Sequence, residues 1–319
     1  MGKATERILE IGIVPVANIT NPEWSVPLAN ALCNGGIPVI EVLARSEGAF
    51  ERMQEMKKAH PEMLVGAGTV LTVAQAEQAI NAGADFIVSP GFLPEMLIYC
   101  QSRGVDLMPG CATASEIQQA YNAGLRVVKF FPTKACGDLP AMKDLSGPFS
   151  GIQFLPTGGI NFDNLDQYMK SPVIAAAGGS FVGSKDVLAK GDFALIEQLS
   201  RKARKISLGF QLAHVGINHA SKEESQKTVK FLCSLLGLDP VEHSKCTFAG
   251  SWFECNDFQG PGKNGHIGIR TFSIIRAMAW VKEQGLEIDE SLNKYDAKGN
   301  VTCFYLKDEI AGFAIHFVK

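Results

Sequence analysis

The sequence predicts an α/β protein: a (β/α)8 barrel followed by a smaller α+β domain of paired βαβββ units. Three observations carry this expectation. From residue 8 to about 205, short β-like runs alternate with helix-like runs through eight units. Helices in that stretch end in a glycine stop that leads at once into the next strand. After residue 206 the pattern changes, and a histidine-headed motif recurs from 214 to 266, an offset of 52 residues.

The predicted strands are Ile11–Val16, Val39–Leu43, Leu64–Ala67, Phe86–Val88, Val105–Met108, Val127–Phe131, Gln153–Leu155 and Val173–Ala176. Most are short, apolar and β-branched, as strands buried on both faces are. Amphipathic stretches such as Ala74–Ala82 and Ala114–Ala123 lie between them, and the glycine stops read Asn81-Ala82-Gly83-Ala84-Asp85 and Asn122-Ala123-Gly124-Leu125-Arg126. Alternating β and α implies a parallel sheet, and eight repeats imply closure. An open doubly wound sheet is disfavoured because no GxGxxG follows the first strand. Gly191–Ile206 reads as the last barrel helix, and its basic end, Arg201 to Lys205, suits a helix C-terminus.

The second region opens with a strand at His214-Val215-Gly216-Ile217-Asn218, followed by a helix over Glu223–Leu236 and β-rich sequence at Phe248–Cys255. It opens again at His266-Ile267-Gly268-Ile269-Arg270, followed by a helix over Ser273–Glu283 and β-rich sequence at Val301–Leu306 and Gly312–Val318. The domain boundary is therefore placed between residues 206 and 207.

Composition narrows the function classes. The chain has 319 residues, 46% of them apolar, enough for two cores. A net charge of −3 with dispersed Lys and Arg argues against nucleic-acid binding. The eight cysteines form no CxxC pair, which fits free thiols in a reducing cytoplasm. No secretory leader and no run of 18 apolar residues is present, so a cytoplasmic protein without a membrane partner is expected. Five of the six histidines lie beyond residue 210, so the two regions carry different titratable chemistry.

Lys129, in Val127-Val128-Lys129-Phe130-Phe131-Pro132, is the most informative residue. Lysine is rarely buried for packing. In apolar surroundings the ammonium is disfavoured, so neutral amine becomes available to attack a ketone and form a Schiff base. A lysine snorkelling from a strand end is the plainer alternative.

In a barrel of this kind the chemistry gathers at the C-terminal strand ends. Those ends supply Glu41 and Arg45 after strand two, Gly66-Ala67-Gly68-Thr69 after strand three and Pro90 after strand four. They also supply Lys129 and Phe131 at strand six, Pro156-Thr157-Gly158-Gly159-Ile160 after strand seven, and Gly178-Gly179-Ser180 after strand eight. Arg45 offers a fork for a substrate carboxylate. Glu41 is a candidate proton carrier, unless it and Arg45 merely form an i, i+4 ion pair. The two glycine-rich turns, with free N–H groups beside a helix N-terminus, read as a phosphate cradle.

Taken together, Glu41-Val-Leu-Ala-Arg45, Gly66-Ala-Gly-Thr-Val70, Val127-Val-Lys129-Phe-Phe-Pro132 and Pro156-Thr-Gly-Gly-Ile160 resemble the 2-keto-3-deoxy-6-phosphogluconate (KDPG) aldolase family, across residues 5 to about 205. The resemblance implies a class I lyase in which Lys129 forms the Schiff base and Glu41 shuttles protons. Arg45, Thr69 and Thr157 would surround the keto acid, with Pro90 and Phe131 also lining its site, and Gly158, Gly159, Gly179 and Ser180 would hold phosphate. It also implies a homotrimer, a small keto-acid substrate, activity on 4-hydroxy-2-oxoglutarate (KHG) and no cofactor for the aldolase step. Two departures leave the substrate open: Pro15-Val16-Ala17-Asn18 has no basic residue where relatives often carry one, and Ser46 stands where threonine is common. The competing reading keeps Lys129 but makes the barrel a decarboxylase of a small keto acid such as oxaloacetate.

Residues 210–319 resemble the glyoxalase/vicinal-oxygen-chelate superfamily. His214 and His266 lie in the opening strands of the two repeats, Glu254 and His316 in the closing strands. The resemblance implies that these four hold a divalent transition metal, with His316 where a glutamate is usual. The alternative is a metal-free binding or assembly module with core histidines. His219 and His243 read as surface or helix-cap residues.

Overall fold

The β-branched runs between the first helices fold as eight short parallel strands: β1 (Ile13–Ala17), β2 (Val39–Leu43), β3 (Leu64–Gly68), β4 (Phe86–Ser89), β5 (Asp106–Pro109), β6 (Val127–Phe130), β7 (Gln153–Pro156) and β8 (Ala177–Gly179). The computed structural model describes residues 2–319. Strands β5-β4-β3-β2-β1-β8 form one sheet and β6-β7 a second ladder. Single bridges join the two, Gly110 to Lys129 on one side and Phe154 to Ile174 and Thr157 to Gly178 on the other, so the ring closes as an α/β barrel. Every residue of β1 is buried, which explains why such strands read as unbroken apolar runs. Gly83 and Gly124 end their helices in the left-handed conformation, at φ 91° and 89°.

Two expectations need correction. The last strand is not Val173–Ala176 but Ala177–Gly179. Ile174 makes one isolated bridge, and the ladder to β1 begins only at Ala177, opposite Ile13. The small side chains there allow close packing: a Cβ on Gly178 would lie 2.5 Å from Thr157 Oγ1. Gly178 and Gly179 are thus strand residues, not a turn. The last helix of this unit runs Phe193–Leu208, and its basic run is not simply a solvated end. Arg204 is buried and donates to the carbonyls of Glu10 and Ile11, covering the free C-terminal end of the first helix.

The chain divides into two compact units, the first ending at Ser207 and the second beginning at Leu208. The second is one eight-stranded mixed sheet of β9 (Gln211–Asn218), β10 (Pro240–Glu242), β11 (Cys246–Ala249), β12 (Phe253–Asn256), β13 (Gly265–Arg270), β14 (Ile288–Tyr295), β15 (Val301–Ile310) and β16 (Phe313–Val318). Its order is β10-β11-β12-β9-β13-β16-β15-β14. Central strands β9 and β13 are antiparallel, and each is flanked by the closing strand of its own repeat in parallel. Helices Lys222–Leu236 and Ile274–Glu283 follow β9 and β13. The second packs its apolar face on Phe304, Ile315 and Phe317. No helix among the described residues is long and apolar enough to cross a membrane.

Gly66 on β3 tests the barrel's packing. A Cβ there would lie 2.2 Å from the Phe86 ring, which is wholly buried and cannot swing away. Gly66→Ala should therefore destabilise the barrel by about 1–3 kcal/mol, read as a lower urea midpoint.

Candidate functional site

Strand order brings residues from distant parts of the chain to one end of the barrel. Lys129 Nζ lies 2.9 Å and 3.3 Å from the two carboxylate oxygens of Glu41, 88 residues away in sequence. Both side chains are buried, Glu41 completely. Glu41 therefore does not pair with Arg45, and Lys129 does not snorkel into solvent. The Phe131 ring lies 5.6 Å from the Lys129 amine.

Lys129 opens into a cavity of about 430 Å³ whose lining includes Arg45, Thr69, Pro90, Phe131, Thr157, Gly158, Gly159, Gly179 and Ser180. The structure thus gathers the barrel residues singled out by the sequence around one space, with Glu41 behind Lys129. Arg45, in the turn after β2, donates from Nε to Thr69 Oγ1 at 3.1 Å. Thr69 holds a left-handed backbone at φ 59°, a costly conformation for a β-branched residue and one often found at ligand sites. Thr157 Oγ1 is buried and has no hydrogen-bond partner, although it lines the cavity. Such an atom is expensive to bury unless a ligand completes it.

The turn after β7 is a real glycine turn, with φ 96° at Gly158 and 87° at Gly159. Because Gly179 ends β8, the second expected turn is reduced to Ser180 and the residues after it. The lining also includes Asn18, Thr20, Trp24 and Lys185, which the sequence reading did not single out. Asn18 directly follows β1, so the strand-end rule should have found it. Lys185 opens a five-residue helix whose cap is Ser184, and no motif marks it. It brings a third cation to the cavity, beside Arg45 and Lys129.

In the second unit, ladder register assembles a second cluster in two matched rows. Phe248, Glu254, Gly216 and His266 lie side by side across β11, β12, β9 and β13. Tyr305, His316, Gly268 and His214 do the same across β15, β16, β13 and β9. Each row carries two candidate ligands with a glycine between them. Those glycines leave room for imidazole: a Cβ on Gly216 would lie 2.1 Å from the His266 ring, and one on Gly268 2.7 Å from His214.

His214 Nε2 lies 3.0 Å from His266 Nε2 and 3.2 Å from His316 Nε2. Glu254 Oε2 lies 3.2 Å from the Nε2 atoms of both His214 and His266. Burial drives the His316 pKa down to about 3, reinforced by His266 and His214, so its imidazole is neutral. Burial opposes ionisation of Glu254, but hydrogen bonds with His214, His266 and Cys246 outweigh it and hold the carboxyl well below its usual range. Neutral imidazoles and a carboxylate are the donors borderline divalent metals prefer. The three histidines form one group whose ligand atoms lie within 4.8 Å of one another, with Glu254 beside two of them, and ligands about 2.1 Å from a metal and at right angles to each other lie about 3.0 Å apart. His219 is neither a cap nor free: its ring nitrogens contact the Asn256 carbonyl and Thr228 Oγ1, while Ser221 caps the helix.

Comparison with known proteins accounts for the first unit. The KDPG and KHG aldolase family model matches residues 5–199. The chain belongs to this family. It is 41% identical over 201 residues to a 2-dehydro-3-deoxy-phosphogluconate aldolase of Treponema pallidum, covering 63% of this chain and 96% of that protein. It is 39% identical to the KHG/KDPG aldolase of Escherichia coli K12, covering 63% and 94%. A KDPG aldolase from Legionella pneumophila, solved with pyruvate captured as a covalent carbinolamine, superposes with a TM-score of 0.61 at 36% identity, covering 62% of this chain and 97% of that one. The Zymomonas mobilis enzyme solved with 3-phosphoglycerate gives the same TM-score at 34% identity, covering 65% and 97%. The chain is therefore a lyase of the aldolase type.

The pair at the barrel's centre predicts a stability effect. An apolar neighbourhood alone would let Lys129→Ala fold unperturbed, but the structure leaves Glu41 as a buried carboxylate without its cation in that variant. Lys129→Ala should cost about 3 kcal/mol in urea unfolding, and Glu41→Gln in the same chain should recover much of it.

Proposed function

We propose that this chain is a Schiff-base aldolase that cleaves KDPG to pyruvate and glyceraldehyde 3-phosphate, and KHG to pyruvate and glyoxylate. The observation that carries the reading is the buried contact of 2.9 Å between Lys129 Nζ and Glu41 at the cavity. Glu41 can take a proton from the Lys129 ammonium and leave a neutral amine. The amine attacks C2 of the keto acid, and Glu41 returns its proton to the departing carbinolamine hydroxyl, so that loss of water gives an iminium and restores the carboxylate. A proton leaves the C4 hydroxyl for Glu41, directly or through water, and the C3–C4 bond breaks. The aldehyde departs, and the bonding electrons enter the iminium as an enamine. Return of the proton to C3 and hydrolysis of the imine release pyruvate and regenerate Lys129.

Arg45 and Thr69 are assigned to the keto-acid carboxylate, and the unpartnered Thr157 Oγ1 to a substrate oxygen. Gly158, Gly159, Gly179 and Ser180, joined by Lys185, are assigned to the distal anion. Apart from the amine–carboxylate pair, these roles rest on their places around the cavity and on family membership. The homotrimer implied by the family belongs to the same reading and is tested by mass in solution.

The second unit is assigned to the glyoxalase/vicinal-oxygen-chelate type, with one divalent transition metal held by His214, Glu254, His266 and His316. The converging Nε2 atoms and the glycine cradles support this reading. A metal there would supply Lewis acidity toward a small oxygen ligand.

Two measurements test the barrel assignments. Borohydride reduction in the presence of pyruvate should trap one adduct on Lys129; trapping at another lysine, or none, would overturn the Schiff-base assignment. Gly179→Val, whose side chain must displace Phe181, should raise KM for KDPG well beyond its effect on KHG; equal losses would argue against an anion site there. For the second unit, protein purified without chelator should carry one transition metal per chain, and His266→Ala should lose it. Chelation should leave pyruvate release unchanged, since the barrel chemistry uses only an amine and a carboxylate.

A further inference from the structure

Each repeat of the second unit places a thiol in the same register behind the histidine cluster. Phe248 faces Glu254 across β11 and β12, and Cys246 lies two residues before Phe248, on the same face of its strand. Tyr305 faces His316 across β15 and β16, and Cys303 lies two residues before Tyr305. Both thiols are buried. Cys303 Sγ lies 3.3 Å from His316 Nδ1, and Cys246, opposite Asn256, stands diagonally across the ladder from Glu254. His266 Nδ1, in contrast, is buried with no partner. Each thiol thus neighbours the candidate ligand on the closing strand of its own repeat.

An imidazole that offers its Nε2 lone pair to a metal must carry its ring proton on Nδ1. In a buried site that proton needs an acceptor, and such outer partners fix both the tautomer and the ring orientation. Tyr305 stacks on His316 with centroids 4.8 Å apart and sets the plane of the ring. Stacking does not choose which nitrogen holds the proton; a group in the plane of the ring at Nδ1 does.

Resting on the metal assignment above, we propose that Cys303 and Cys246 are positioning residues for the metal ligands. Cys303 sulfur accepts the His316 Nδ1–H and so presents Nε2 as a lone pair. The Cys246 S–H donates to the Glu254 carboxylate and holds it against the cluster. Neither sulfur is itself a ligand. Without metal the first contact runs the other way, the Cys303 S–H donating to Nδ1 while Nε2 keeps the ring proton. Loading shifts that proton from Nε2 to Nδ1, the thiol keeps its own proton, and the direction of the hydrogen bond reverses.

Cobalt(II) titration of the full chain, followed by calorimetry and by the visible d–d absorption, tests the assignment. Wild type should bind one cobalt and His266→Ala none, a comparison that judges the metal site itself. Cys303→Val fills the volume but withholds the acceptor; it should still bind one cobalt, about tenfold or more weakly and with a shifted d–d band. Cys303→Ser, whose hydroxyl oxygen accepts, should regain most of that loss. Cys246→Val and Cys246→Ser should form the same pair. Wild-type affinity and spectrum in both valine variants would overturn the proposal while leaving the metal site standing. So would a sulfur-to-cobalt charge-transfer band that disappears with Cys303, because the thiol would then be a ligand. A folded Cys303→Ser no better than Cys303→Val would also overturn it. Absence of cobalt binding in wild type would remove both the site and this inference.

Discussion

The ion pair of Lys129 and Glu41 is the constraint around which the barrel's functional end is built. Removing two charges from water costs several kcal/mol per ion, and close pairing recovers that only when the surroundings are well packed. The neighbouring sequence is shaped by this need. A Cβ on Gly68 would lie 2.2 Å from Glu41 Oε1, so the carboxylate takes the space that any other residue would fill. The chain then turns at Thr69 through its left-handed backbone, which places the hydroxyl within reach of Arg45. Lys129 is held from the other side by the ladder of β6 with β7 and by the Gly110 bridge. A lone lysine in this position would be a charge to be expelled; beside Glu41 it has a partner able to carry its proton.

The second unit solves a different problem with the same economy. Its two rows repeat one recipe: aromatic, candidate ligand, glycine, candidate ligand. The pseudo-twofold relation of β9 and β13 makes the recipes meet, so two single-histidine motifs become one cluster. His214 sits opposite Gly268, and His266 opposite Gly216. A side chain at either glycine would push an imidazole out of the cluster, so the spacing His-x-Gly carries as much information as the histidines themselves.

Much of this was legible in the sequence because it depends on periodicity and strand ends. Eight β/α units place Glu41, Arg45, Thr69, Lys129 and Thr157 at one end by topology alone, and the cavity gathers all of them but Glu41, which lies behind Lys129. Strand eight was misplaced because Val173–Ala176 has stronger β propensity than Ala177-Gly178-Gly179. The true strand is set by pairing with β1 and by the closeness of Thr157, which local preference does not register. Arg204 sits in a basic helix terminus that the helix dipole alone would explain; its burial follows from the two carbonyls it covers, almost 200 residues earlier. Lys185 and the partnership of Glu41 with Lys129 likewise depend on tertiary distance. In the second unit the four ligand candidates were visible from the repeat, whereas the glycines between them and the thiols behind them needed register.

Both sites leave buried polar atoms without partners, and the way they do so separates a ligand site from a packing defect. Thr157 Oγ1 and His266 Nδ1 each forgo a hydrogen bond at a cost of about 1–3 kcal/mol. Ser171 Oγ does the same, so an orphaned atom alone marks nothing. At Thr157 the orphan lines a cavity of about 430 Å³ shared with three cations. At His266 it belongs to a ring whose other nitrogen lies 3.0 Å from His214 and 3.2 Å from Glu254. Where ring nitrogens converge on one point, each presents there either a proton or a lone pair, and three of them cannot all find the opposite group among themselves. A cation would satisfy all of those lone pairs at once. An anionic, oxygen-rich substrate does the same for Thr157 and the cations around it. The two units therefore bear complementary deficits, one of negative charge and one of positive, and each is a deficit that packing alone cannot repair.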